Sequence, residues 1–103
     1  MKVHWHKRAA AQLHQIEYYV LRNFGERIRH EFMDDIEQAV LSLAEMPTMG
    51  KFDPLLAHRK QGYRSIIVRR LNKIVYYVKK DTLHIAAFWD TRQEPKNQVN
   101  QIK

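Results

Sequence analysis

The sequence predicts an α+β domain: a helical hairpin packed on a mainly antiparallel four-stranded sheet, in the order β-α-α-β-β-β. Three observations carry this. Residues 61–95 contain three runs rich in Val, Ile and Tyr, separated by two tight turns. Two earlier stretches repeat apolar residues at spacings of three and four. The 103 residues suit one domain with one modest core.

Lys2-Val3-His4-Trp5-His6 alternates apolar and polar side chains, the period of a short strand. Lys7 to Asn23 follows as a helix, with Ala9, Leu13, Ile16 and Val20 on its apolar stripe. Gly25 is placed to stop it. Glu26 to Glu45 is the second helix. Ile28, Phe32, Ile36, Ala39, Val40 and Leu43 form its buried stripe, and Glu31, Asp34, Asp35 and Glu37 its solvated face. Asp34 and Asp35 are adjacent, so on a helix they diverge too far to act together on one substrate atom. The short break makes the helices an antiparallel hairpin, and each apolar stripe needs a sheet to cover it. Met46 to Lys60 is irregular, punctuated by Pro47, Gly50 and Pro54.

Strands are then expected at Tyr63–Arg69, Lys73–Lys79 and Thr82–Asp90, with turns at Leu71-Asn72 and Lys80-Asp81. A two-residue loop at Lys80-Asp81 sets Val78 opposite Leu83, Tyr76 opposite Ile85 and Ile74 opposite Ala87, which makes that the core face. The reverse, half-exposed face then carries Lys73, Val75 and Tyr77 opposite Phe88, Ala86 and His84. For the first hairpin, a two-residue loop at Leu71-Asn72 puts Arg64, Ile66 and Val68 on the reverse face. A three-residue loop flips them to the core face. The two-residue loop is preferred, because it avoids burying Arg64 without a partner. The tail Gln93–Lys103 reads as an extension or short helix, with the chain forming a single domain over 1–103.

Composition removes several function classes. With no cysteine, disulfide scaffolds, thiolate metal sites and cysteine nucleophiles are out. There is no signal-peptide pattern and no apolar run of membrane-spanning length, so a cytoplasmic protein is expected. The formal net charge is +7, and it is segregated. Residues 1–50 carry 6 Lys/Arg against 7 Asp/Glu, residues 51–80 carry 9 against 1, and residues 81–103 balance at 3 and 3. A basic segment of this kind suits a polyanion or an acidic protein partner. His4 and His6 share a strand face, but no third ligand is evident nearby, so they read as exposed strand histidines. No phosphate loop, nucleophile elbow or HExxH occurs, and neither metal nor cofactor is expected.

Several segments in this order resemble the RelE/ParE superfamily of bacterial toxins from type II toxin–antitoxin systems. They are the N-terminal strand, the hairpin corner Phe24-Gly25, and Gly62-Tyr63-Arg64 leading into the sheet. Lys73-Ile74-Val75-Tyr76-Tyr77-Val78 and Trp89-Asp90-Thr91-Arg92-Gln93-Glu94-Pro95 complete the series. The resemblance implies a small growth-inhibiting toxin, of the kind linked to plasmid stabilisation, neutralised by a cognate antitoxin. RelE-like members resemble ribosome-dependent mRNA endonucleases, whereas ParE-like members poison DNA gyrase without covalent chemistry of their own. A non-toxic nucleic-acid-binding domain is a third reading, and a homodimer is compatible with all of them.

RNA cleavage by 2′-hydroxyl attack needs a base, an acid and cations for the phosphate. The candidates for these roles are Arg64, Lys73, Tyr77, His84 and Arg92. At about 3.3 Å per residue, His84 and Arg92 stand roughly 25 Å apart along one strand, too far to share a phosphate. The tail also lacks the His or Tyr that many ribonuclease members place there. The ParE-like, binding-only reading is therefore favoured. Contact with target or antitoxin is expected from Arg59, Lys60, Arg64, Arg69, Arg70, Lys73, Trp89 and Arg92. For Arg64 and Arg92, structural ion pairs with Asp90, Glu94 or the helix acids are the competing role, and for Trp89 it is a place in the core.

Overall fold

The computed structural model describes residues 1–92 and Ile102. Strand β1 (Lys2–Trp5) leads into helices α1 (Lys7–Phe24) and α2 (Glu26–Glu45). Then come β2 (Lys51–Phe52), β3 (Arg64–Val68), β4 (Asn72–Lys79) and β5 (Thr82–Asp90). The sheet order is β1-β5-β4-β3-β2. β1 runs parallel to β5 at one edge, and the other neighbours are antiparallel. The architecture is the expected helical hairpin on a mainly antiparallel sheet, with a fifth strand of only two residues. The expectations for the tail 93–103 fall, apart from Ile102, outside the described residues.

Both helices bury their predicted stripes. Ala9 and Leu13 of α1 and Phe32, Ile36, Val40 and Leu43 of α2 meet Ile74, Tyr76, Leu83, Ile85 and Phe88 of the sheet. Gly25 joins the helices at φ 90° and ψ 176°, a backbone conformation open to glycine. Its N–H donates to the Leu21 carbonyl at 3.0 Å, and its own carbonyl accepts from Arg29 N at 3.1 Å. Arg29 also reaches back across the hairpin to Glu17 at 2.9 Å.

The sheet corrects two expectations of register. The first hairpin pairs Val68 with Asn72, Ile66 with Ile74 and Arg64 with Tyr76. The loop is therefore Arg69-Arg70-Leu71, three residues, and Ile66 and Val68 pack toward the helices. Arg69 (φ 53°) and Arg70 (φ 69°) take the left-handed conformations that close it. Burial of Arg64, the objection to this register, is met by a hydrogen bond to the Gly50 carbonyl at 2.7 Å.

The second hairpin has the expected two-residue loop at Lys80-Asp81, with both residues at positive φ. Its predicted pairs hold at Val78–Leu83 and Tyr76–Ile85. A bulge then slips the register, so that Val75 pairs with Ala87, Ile74 with Phe88 and Lys73 with Trp89. Phe88 thus belongs to the core face and Ala87 to the reverse face, opposite to expectation. Past the end of β1, the side chain of Gln12 on α1 accepts a hydrogen bond from the Phe88 N–H at 2.9 Å.

Nor is the reverse face half-exposed. Val75, Tyr77, Ala86, Ala87 and Trp89 form a second buried cluster with Leu56 and Ile102, and Tyr63 packs against it. The 3-10 turn Pro54–Leu56 brings Leu56 there. Asp53 caps that turn by accepting from Leu55 N at 2.9 Å.

Candidate functional site

The cations predicted to act together are dispersed, and most are engaged. Arg64 holds the Gly50 carbonyl and lies 4.0 Å over the Phe52 ring, a cation–π contact. It belongs to a lock around Gly50. The Tyr76 hydroxyl donates to the Pro47 carbonyl at 2.5 Å and accepts from Gly50 N at 3.0 Å. A Cβ on residue 50 would stand 2.4 Å from that hydroxyl, so only glycine fits. Burial pushes the Tyr76 phenol up from its ordinary pKa.

Lys73, on the reverse face, forms an ion pair with the buried Asp53 carboxylate at 2.7 Å and lies 5.3 Å over the Trp89 ring. Trp89, expected as a contact residue, is 1% exposed. It lies in the second cluster beneath the loop, where no partner reaches it without unfolding that layer. Arg92 grips Asp90, with Nε 2.9 Å from Oδ1 and Nη2 2.5 Å from Oδ2. This is the structural role weighed for it in the sequence. The guanidinium holds the Asp90 carboxyl below its ordinary pKa, chiefly through the hydrogen bond. Arg69 pairs with Asp35 of α2 at 2.5 Å. Arg59 Nε donates to His58 Nε2 at 3.1 Å. Lys60 and Arg70 are exposed and form no ion pair among the described residues.

Two of these arginines do converge. Arg69 and Arg92 both line a groove of about 590 Å3, formed by the C-terminal half of α1, the N-terminal half of α2 and the β3–β4 turn. Its walls are largely apolar: Ile16, Tyr19, Val20, Phe24, Ile28 and Leu71. Tyr19 is 55% exposed and Phe24 60%, so large apolar surface faces solvent beside cationic side chains. The ion pairs at the rim are themselves exposed. Such pairs contribute about 0–1 kcal/mol, so an incoming carboxylate can compete for either arginine at little cost. The sequence showed the two arginines but not the apolar groove between them. Tyr19 and Phe24 lie off the predicted stripe of α1, and only the hairpin's seat on the sheet brings Leu71 to them.

The second grouping is one the sequence reading set aside. Tyr77 and His84 stack face to face at 4.8 Å. Parallel pairing of β1 with β5 adds His4 and His6, with ring centroids 5.6 and 5.3 Å from that of His84. His6 Nε2 lies 3.1 Å from His84 Nδ1 and 3.4 Å from the Tyr77 hydroxyl. Burial, with His4 and His84 nearby, lowers the His6 pKa. Burial raises that of Tyr77, which therefore stays a phenol near neutral pH. Of the five residues proposed for RNA cleavage, Tyr77 and His84 are together, whereas Arg64, Lys73 and Arg92 are each bound elsewhere. Among the described residues, no group of three or more His, Cys, Asp or Glu is arranged to hold a metal ion. Among them, too, no helix is long and apolar enough to cross a membrane.

The family described as "ParE toxin of type II toxin-antitoxin system, parDE" matches residues 3–95. A solved structure of the chromosomal ParDE toxin–antitoxin system from P. aeruginosa is similar in fold, with a TM-score of 0.72 at 22% identity. That likeness covers 89% of this chain and 97% of the other. No match to a curated protein was found.

Proposed function

The chain belongs to the ParE toxin family of type II toxin–antitoxin systems, and from that premise we propose that it arrests growth in the cytoplasm by binding, with DNA gyrase as its target and a cognate antitoxin as its inhibitor. The observation that carries the binding-only reading is the dispersal of the cations. Lys73 neutralises Asp53, Arg64 holds Gly50, and Arg92 holds Asp90. Each is thereby engaged by a partner within the protein rather than left to stabilise the crowded phosphate that cleavage requires. The groove, by contrast, offers apolar area with cations at its edge. That combination suits an amphipathic acidic segment such as an antitoxin would supply.

The runner-up, ribosome-dependent mRNA cleavage, is favoured by one feature: the imidazoles of His6 and His84 beside the Tyr77 phenol, groups able to exchange protons. One pair of assays separates the two readings. Purified protein is expected to inhibit gyrase supercoiling and to leave ribosome-bound mRNA intact. Cleaved message with unimpeded supercoiling would reverse the assignment.

A further inference from the structure

Among the described residues, the seam between β1 and β5 holds three imidazoles and no carboxylate paired with them. His4 and His84 are register partners across the parallel pair. His6 follows at the junction of β1 and α1, where its N–H donates to the Ile85 carbonyl at 2.9 Å. Its ring lies 5.2 Å from His4 and 5.3 Å from His84. β1 is an edge strand of four residues, held besides this cluster by its backbone pairing with β5 and by Trp5 against the core. We propose that His4, His6 and His84 form an acid-released latch, which fixes β1 and the start of α1 to β5 while neutral and lets them go when the cluster takes up protons.

The 3.1 Å contact between His6 Nε2 and His84 Nδ1 needs one nitrogen to donate and the other to accept. When both rings are protonated, both nitrogens are donors and the bond is lost. Like charges at this spacing then repel. The surrounding groups do not compensate. Tyr77 of β4 approaches His6 Nε2, and Tyr63 and Gln61 of the preceding loop, Arg8 of α1 and the apolar Ala86 and Ile102 line the same cavity. None of these is a carboxylate. His6 is also the N-cap residue of α1, whose first turn carries no acid, and a helix N-terminus disfavours positive charge.

The sign follows from linkage. The lowered His6 pKa means that the released state binds more protons than the latched one. The latch is therefore intact above the ordinary imidazole pKa of about 6.5 and weakens as pH falls through it toward the lowered value.

Amide hydrogen exchange on the whole protein tests this, each rate being corrected for its intrinsic chemistry. Between about pH 7.5 and pH 5.5, protection of Lys2–Trp5 is expected to fall up to about tenfold more than protection of the β4 core, the limit for one imidazole, that of His6, kept neutral when latched. In His84→Gln this excess is expected to shrink, since burial and His4 still act on His6. Parallel losses in β1 and β4, or an unchanged excess in the variant, would overturn the proposal. If His84→Gln does not fold, the wild-type protein decides by imidazole NMR. The His6 ring must titrate below a free imidazole in the same tube, and the β1 amide shifts must move with its midpoint. Titration at or above the free imidazole overturns the latch.

Discussion

Lys73 shows how a residue with catalytic credentials becomes a structural one. It lies on the face and in the strand where a phosphate-binding cation was expected. The Asp53 carboxylate beneath it is fully buried, and the Oδ2 that meets the ammonium makes no aligned hydrogen bond. The Lys73 charge is therefore the compensation for that oxygen among the described residues. Removing one member of a buried pair leaves an unpaired charge and costs about 3–5 kcal/mol, whereas apolar replacement of both is often near neutral. Lys73→Met is thus expected to lower stability to urea by about that amount, and Lys73→Met with Asp53→Leu to recover part of it, the lost Asp53 cap on Leu55 N keeping the remainder. A Lys73→Met protein as stable as wild type would return Lys73 to the list of free cations. The pairing was hidden in the sequence because Asp53 lies inside an irregular segment that carries no period, with β3 between it and Lys73. Arg64 was misplaced for a related reason. Its partner is a backbone carbonyl, and no side chain announces it.

At the scale of elements, legibility follows periodicity. The helices are long, their stripes are regular, and both pack as read. The Lys80-Asp81 turn was fixed by apolar pairing on either side of it. The β4–β5 bulge was not visible, because Ala86 and Ala87 fit either face and let the register slip without penalty. β2 escaped because two residues, Lys51 and Phe52, have no detectable alternation. The β3–β4 turn was misread because the three-residue loop implied burying Arg64 without a partner, and no glycine marks Arg69-Arg70-Leu71, although two of its residues adopt positive φ. The same strain marks Lys80 (φ 51°) and Asp81 (φ 59°), where the mirror-image hairpin turn favours Asn-Gly. Lys80→Asn with Asp81→Gly is expected to raise stability by about 1 kcal/mol, since left-handed backbone costs an ordinary residue about that much. The urea midpoint should rise with the slope unchanged. A midpoint that stays put would mean that the lysine and aspartate carry no strain in this turn.

For the whole molecule, the question is what the segregated charge does once the fold has distributed it. The sequence places an excess of +8 between residues 51 and 80, but the fold divides it. Lys73 is inside, Arg64 is tied to Gly50, Lys79 and Lys80 lie at the β4–β5 turn, and Arg69 and Arg70 lie at the opposite end, beside the groove. Arg92 joins the last two from β5. What remains near the apolar groove is a cluster of three arginines, two of them paired with Asp35 and Asp90, and rim charges govern encounter more than residence. For a cognate acidic antitoxin, the on-rate is expected to fall steeply as salt rises, since the Debye length contracts from roughly 30 Å at 0.01 M to 10 Å at 0.1 M. Arg69→Gln with Arg92→Gln should slow association at low salt by about tenfold, and the gap should close at high salt. Phe24→Ser, which removes apolar contact without touching charge, should leave association nearly unchanged and speed dissociation. Stopped-flow mixing with the purified antitoxin measures both rates. Equal salt dependence in wild type and the arginine double variant, together with an unaltered off-rate for Phe24→Ser, would place the antitoxin on another face of the toxin.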